Sequence, residues 1–110
     1  MADNIDTYRT LTPYLVVPDA DWELGFFKVV FGAKEKSCQR NDDKTVMHAE
    51  IEVGNSLLMM GQSGLNWKAL SGALYVWVLD VDATYERALK AGAASQSAPE
   101  DKPYGHRNAG

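Results

Sequence analysis

An internal repeat constrains this chain more than any other feature. Tyr14-Leu15-Val16-Val17-Pro18-Asp19-Ala20-Asp21 can be laid over Tyr75-Val76-Trp77-Val78-Leu79-Asp80-Val81-Asp82 at an offset of 61, and four of the eight pairs are identical. Each segment reads as a strand that runs into a helix. Each helix then ends at a Gly-Ala pair, Gly32-Ala33 and Gly92-Ala93, where glycine allows the left-handed turn that stops a helix. Self-similarity at a fixed offset is the mark of a duplicated supersecondary unit. At 110 residues the chain has room for one domain, so the two copies must share it.

The pattern between the copies supplies the rest of the unit. Residues 11–17 read as a strand ended by Pro18, and Asp19 to Asp21 offer carboxylates that cap free helix N–H groups. Trp22, Phe26, Val29 and Val30 recur at helical spacing, with Phe27 and Phe31 widening that face. Residues 33–40 form a polar strand suited to a sheet edge, and 41–44 a turn. From 45 to 53 the alternation places Met47, Ala49, Ile51 and Val53 on one face and His48, Glu50 and Glu52 on the other. Gly54-Asn55 signals a tight hairpin. Residues 57–60 are apolar on both faces, as in a central strand. A loop over 61–72 carries Leu65 and Trp67, and 73–79 is a second doubly apolar strand. Asp80 or Asp82 caps a helix through Tyr85, Ala88 and Leu89, and 95–110 is a polar strand and loop. The expected fold is α+β: two modules of strand–helix–strand–strand–strand, about 11–60 and 73–110, forming a curved mixed sheet with the helices on its outer face. The second module is cut short, with room after its helix for one strand and part of another.

Composition excludes several classes. The net charge of −4 argues against a nucleic-acid binder, which needs a basic stripe. No apolar run approaches the roughly 20 residues of a membrane helix, and the start Met1-Ala2-Asp3-Asn4-Ile5-Asp6 lacks the basic and apolar regions of a signal peptide. The lone Cys38 has no internal disulfide partner. These features predict a cytoplasmic protein. Cys38 has basic neighbours in sequence but no histidine signature, so it reads as an inert thiol. Neither Ser63 nor Ser71 sits in a nucleophile elbow.

The repeat and its flanking motifs resemble the vicinal oxygen chelate superfamily, which includes glyoxalase I, bleomycin-resistance proteins and extradiol dioxygenases. They resemble its demethylubiquinone-methyltransferase-like, glyoxalase-like branch most. The residues that carry the resemblance are Pro13-Tyr14-Leu15, Phe26-Phe27-Lys28 with Val30-Phe31-Gly32-Ala33, Met47-His48-Ala49-Glu50-Ile51 into Gly54-Asn55-Ser56-Leu57-Leu58-Met59-Met60, Asp80-Val81-Asp82-Ala83 to Ala91-Gly92-Ala93, and Tyr104-Gly105-His106-Arg107. They span residues 11–107. The branch ordinarily adds a last aromatic-rich strand beyond this point. The resemblance also implies a homodimer, since members of the superfamily commonly complete their cups across subunits.

Metal-dependent members hold one divalent ion in the cup, and the resemblance places three of their ligand positions on Thr12, Met59 and Ala73. None carries an imidazole or carboxylate, and a thioether suits hard octahedral ions poorly. The expectation is a cup with no metal and no cofactor. His48 and Glu50 are the candidate acid–base pair, about 6.5–7 Å apart along one strand, and His106 from the second module is positioned in sequence to join them. The plain alternative is that they line the solvated face of a half-buried strand. The expected lining of the cup is Thr12, Tyr14, Met59, Trp67, Tyr75, Trp77, Tyr104 and Arg107, with Val16 and Leu57 on the same side. Such a mixture of aromatic, apolar and few polar groups is typical of a small-molecule pocket.

These features leave two functions of different class. One is a metal-free glyoxalase/bleomycin-resistance-like protein that binds a small aromatic or amphipathic molecule. The other is a lyase, isomerase or dioxygenase that uses His48 and Glu50 or a non-standard metal site. A purely structural dimer without a pocket is a third reading, and ligand-induced stabilisation separates it from both.

Overall fold

A computed structural model describes residues 8–70 and 72–110; the polar start, 1–7, and Ser71 lie outside the described residues. In chain order the elements are β1 (Tyr14–Val17), α1 (Ala20–Phe31), β2 (Lys34–Arg40), β3 (Val46–Val53), β4 (Ser56–Gln62), α2 (Val81–Lys90), β5 (Glu100–Asp101) and β6 (Arg107–Asn108). The repeat is visible in the caps. The Asp19 carboxylate accepts from the Trp22 N–H at 3.1 Å, and its repeat partner Asp80 accepts from the Ala83 N–H at 2.9 Å. Gly32 and Gly92, at φ 66° and 108°, follow the two helices in left-handed geometry that a side chain would disfavour.

The first module is a four-stranded sheet in the order β1-β4-β3-β2. β4 runs parallel to β1 and antiparallel to β3, and β3 is antiparallel to β2. The doubly apolar strand is therefore interior, as its sequence requires. One face of the sheet carries Ala49, Ile51, Leu58 and Met60, which pack beneath Ala20, Leu24 and Phe27 of α1. β2, the outer strand, is mostly exposed and charged, which blunts its free edge against pairing with other chains.

Two expectations about facing are corrected. The helix buries Ala20, Leu24, Phe27 and Val30, whereas Trp22 is 47% exposed and Val29 64%. α1 is apolar around most of its circumference, so the sheet, not the spacing, selects the stripe. On β3, Val46 enters the core while Met47 is turned out. The ladder with β2 shifts register between Gln39 and Arg40, and a bulge of this kind re-aims the side chains beside it.

The second module is less complete. Residues 73–79, expected as a strand, belong to no ladder among the described residues. The reason lies in the order of the first module: β1 pairs with β4 alone, so its repeat counterpart needs a counterpart of β4, and none is present among the described residues. Alternation nonetheless persists: Val76 and Val78 are half-buried, while Tyr75, Trp77 and Leu79 are exposed. A groove of about 260 Å³ separates residues 74–78 from Arg107–Gly110, floored by Val81, Tyr85 and Ala88 of α2. In the first module β4 fills the corresponding place. β5 and β6 pair as a short hairpin, prolonged by reciprocal bonds between Ser97 and Gly110.

The two modules meet through their helices. The Arg87 guanidinium donates twice to the Val30 carbonyl, at 3.2 and 3.1 Å, near the end of α1. A side chain at Gly92 would approach the Trp22 ring to 3.2 Å, so the turn after α2 also lies against α1. The packing predicts that Met60→Ala, at a fully buried site, lowers stability by about 2–5 kcal/mol, while Val29→Ala changes it by less than about 0.5 kcal/mol. Urea unfolding of both variants checks this; equal losses would place the wrong helix stripe in the core.

Candidate functional site

The face of the sheet opposite α1 holds the candidate site. Tyr14 lies beside Met59, Met59 beside Glu50, and Glu50 beside Ser37, so one row crosses all four strands. His48 stands two residues from Glu50 on the same strand and therefore on the same face. Period 2 thus gathers Tyr14, His48, Glu50 and Met59 on one surface without any long loop to position them.

These residues form a continuous hydrogen-bonded chain. The Tyr8 hydroxyl donates to Glu50 Oε1 at 2.9 Å. His48 Nε2 lies 2.9 Å from Glu50 Oε2, and the Tyr14 hydroxyl 3.2 Å from His48 Nδ1. Glu50 is only 9% exposed. Burial pushes its carboxyl upward, but the bonds from His48 and Tyr8, with further help from the positive charges of a protonated His48 and of Lys36, outweigh that and hold it below its ordinary value. An ionised carboxylate only accepts, so His48 Nε2 must carry a hydrogen toward it. In the neutral ring Nδ1 is then an acceptor, and the Tyr14 hydroxyl donates to it. Burial raises the Tyr14 phenol, and its bond to Glu50 raises that of Tyr8, so both remain protonated at neutral pH.

Gly61 makes this chain possible. A Cβ at that position would lie 2.9 Å from the Tyr14 hydroxyl and 2.9 Å from the Met47 carbonyl oxygen. The Tyr14 side chain crosses β4 over a residue without one. Trp67 completes the site: its ring stacks on Tyr14 with centroids 5.2 Å apart, and it is held in a tight loop by reciprocal backbone bonds with Gly64. Half of Trp67 stays exposed.

The expected site residues divide into two groups. Tyr14, His48, Glu50, Met59 and Trp67 come together on this face. Thr12 precedes β1 and donates to the Arg9 carbonyl. Tyr75, Trp77 and Tyr104 belong to a second aromatic cluster around His106. Trp77 meets the His106 ring edge-on at 4.8 Å, Tyr104 meets it at 5.5 Å, and Tyr75 lies tilted against Trp77 at 5.3 Å. Asn108 donates to the hydroxyls of both Tyr75 and Tyr104. His106 therefore stands with Trp77 and not beside His48. Arg107 is bound to Asp82 and Asp101 at the surface. Sequence reasoning missed Tyr8, Asn108 and Gly61; only Gly61, a glycine inside an apolar strand, carried a signal of close approach.

A separate cavity lies elsewhere. Its volume is about 860 Å³, and it is bounded by Pro13, Phe27, Leu58, Leu74 and Trp77 among others. None of Tyr14, His48 or Glu50 lines it. Leu58 and Phe27 belong to the core or its margin, so this space is the apolar gap between the first module and the unpaired segment 74–79.

The donor set does not fit the superfamily's metal. Thr12, Met59 and Ala73 supply no imidazole or carboxylate, and among the described residues no group of three or more His, Cys, Asp or Glu side chains is placed to hold an ion.

No family model matches the chain. It is 31% identical over 118 residues to the uncharacterized protein Mb0911c of Mycobacterium bovis, covering 97% of this chain and 76% of that one. To the uncharacterized protein Rv0887c of Mycobacterium tuberculosis it is 31% identical, covering 97% and 68%. Among solved structures it is similar to TioX from Micromonospora sp. ML1, with 26% identity and a TM-score of 0.68 over 92% of this chain and 84% of that one. The chain belongs to the vicinal oxygen chelate superfamily. Its fold is also that of a Bacillus cereus PhnB protein described as a putative 3-demethylubiquinone-9 3-methyltransferase (18% identity, TM-score 0.66, 90% and 87% covered). The fosfomycin resistance protein FosX of Listeria monocytogenes shares it too (14% identity, TM-score 0.62, 86% and 74% covered). No helix among the described residues of this superfamily member is long and apolar enough to cross a membrane.

The Glu50 environment has a signed pH consequence. Its carboxyl lies below its ordinary value of 4.5 when folded, so its stabilisation is complete above that value and is lost as pH falls through the lower, folded one. Glu50→Gln is expected to cost about 1.5–3 kcal/mol at neutral pH, the range for a hydrogen bond to a charged group. Melting curves from pH 7 to pH 3 should show the gap between the two proteins closing below about pH 4.5. A gap that stays constant to pH 3 would show that Glu50 is not held ionised by its neighbours.

Proposed function

We propose that this protein binds a small, planar aromatic or amphipathic molecule, without a metal, in the cup on the face of the sheet opposite α1. The observation that carries this reading is the pairing of a half-exposed indole, Trp67, stacked on Tyr14, with a buried polar chain at the end of the same ring. An aromatic wall beside a few oriented polar groups is how small-molecule sites combine affinity with selection. The metal-position residues Thr12, Met59 and Ala73 support a metal-free cup because they offer no suitable donors. A homodimer would bring further walls to the cup.

A second reading keeps the same residues as catalytic groups. The relay from Tyr14 through His48 to Glu50 has the geometry of a hydroxyl poised to lose its proton to an imidazole that a carboxylate orients. It favours lyase or isomerase chemistry over simple binding if turnover is found.

Single-tryptophan variants, each retaining Trp22, Trp67 or Trp77, separate these sites. On addition of a planar aromatic ligand, emission from Trp67 should shift or quench, while Trp22, on α1 beside Gly92, should not respond. A response confined to Trp22 or Trp77 would contradict a ligand site at Tyr14. Adding zinc, nickel or manganese should leave the melting temperature unchanged. A saturating site at a hundredfold its Kd would add about 2.7 kcal/mol, and a shift of that size would contradict the metal-free cup.

A further inference from the structure

The hydrogen bonds of the cup share one direction. With Glu50 ionised and His48 neutral, Tyr8 and the His48 Nε2–H both donate to Glu50, and Tyr14 donates to His48 Nδ1. In the neutral state every proton of the chain points toward the buried carboxylate. The Tyr14 hydroxyl hydrogen is thereby committed inward, and among the described residues no group donates to its oxygen. A ligand arriving at that end of the cup meets lone pairs and no free O–H.

From this we infer that the cup selects planar aromatic molecules that carry a hydrogen-bond donor, such as a phenolic O–H or a ring N–H, which donates to the Tyr14 oxygen while the ring lies against Trp67. The inference rests on the binding reading above and adds the polarity of the ligand. Aromatic carboxylates are excluded by the same geometry. Their oxygens would face the Tyr14 lone pairs, with Glu50 behind them and Glu52 on the same strand face. Donation by Tyr14 into the imidazole also polarises its hydroxyl, because bonds in a chain strengthen one another, so the oxygen is a better acceptor than an isolated phenol. Gly61 leaves room for that oxygen, since a Cβ there would lie 2.9 Å from it.

Three probes of nearly equal shape test this: 2-naphthol, 2-methoxynaphthalene and 2-naphthoate, titrated calorimetrically at neutral pH. 2-Naphthol should bind about three- to tenfold more tightly than its methyl ether, the net worth of one hydrogen bond, and 2-naphthoate should bind most weakly. Tyr14→Phe should bring the affinity of 2-naphthol down to that of the ether. Trp67→Ala should weaken both while keeping their ratio. Tightest binding by 2-naphthoate, or a preference for 2-naphthol that survives Tyr14→Phe, would overturn the inferred polarity. Equal affinity for 2-naphthol and its ether would overturn it while leaving the cup as a binding site. Absence of binding by all three at millimolar concentration would overturn the binding reading itself.

Discussion

Everything in this molecule depends on the double bonding of β4. It lies inside the sheet, parallel to β1 on one side and antiparallel to β3 on the other, and its two faces do different work. Leu58 and Met60 close the core beneath α1. Met59 and Gly61 face the candidate site, one beside Glu50 and the other beneath the Tyr14 ring. A one-residue slip of this strand would exchange core and cup completely, so the apolar packing that stabilises the fold also fixes the register of the site. The second module has no such strand among the described residues, and its packing is correspondingly thin. Residues 73–79 keep their alternation but have no ladder, and α2 buries only Thr84.

A buried carboxylate on the sheet face opposite α1 is the costly part of the design. Burial alone would drive Glu50 toward its neutral form. Two donors, from His48 and Tyr8, reverse that. The chain is complete in the sense that each buried polar atom has a partner, with none left unsatisfied among the described residues. Removing one partner from such a network costs more than the bond itself, because the remaining group stays desolvated. With Glu50 ionised and His48 neutral the network has a single orientation, and the proposed ligand polarity follows from it.

Much of this was legible in the sequence. The pattern identified both helices, with Asp19 or Asp21 and Asp80 or Asp82 as candidate caps, the Gly54-Asn55 hairpin and the interior position of β4. Strict alternation on β3 placed His48 and Glu50 on one face. The hidden features have physical causes. The buried stripe of α1 could not be chosen from spacing because Trp22, Leu24, Phe26, Phe27, Val29, Val30 and Phe31 leave almost no polar face. Val46 was hidden by a register shift in the ladder, which no alternation rule anticipates. Tyr8 belongs to no periodic segment, so its bond to Glu50 appears only in three dimensions. Tyr14 and Trp77 occupy equivalent faces of the two repeats, yet they join separate clusters, because the segment carrying Trp77 is not tied into the main sheet.

The central claim is that Glu50 is ionised, orients His48 and thereby sets the polarity of Tyr14. Nitrogen NMR of the protein labelled with ¹⁵N-histidine tests it most directly, at a pH where the imidazoles are neutral. The expected spectrum has His48 as the Nε2–H tautomer, with Nδ1 unprotonated and its signal displaced when Tyr14 is replaced by phenylalanine. A neutral His48 found as the Nδ1–H tautomer, indifferent to Tyr14, would contradict it.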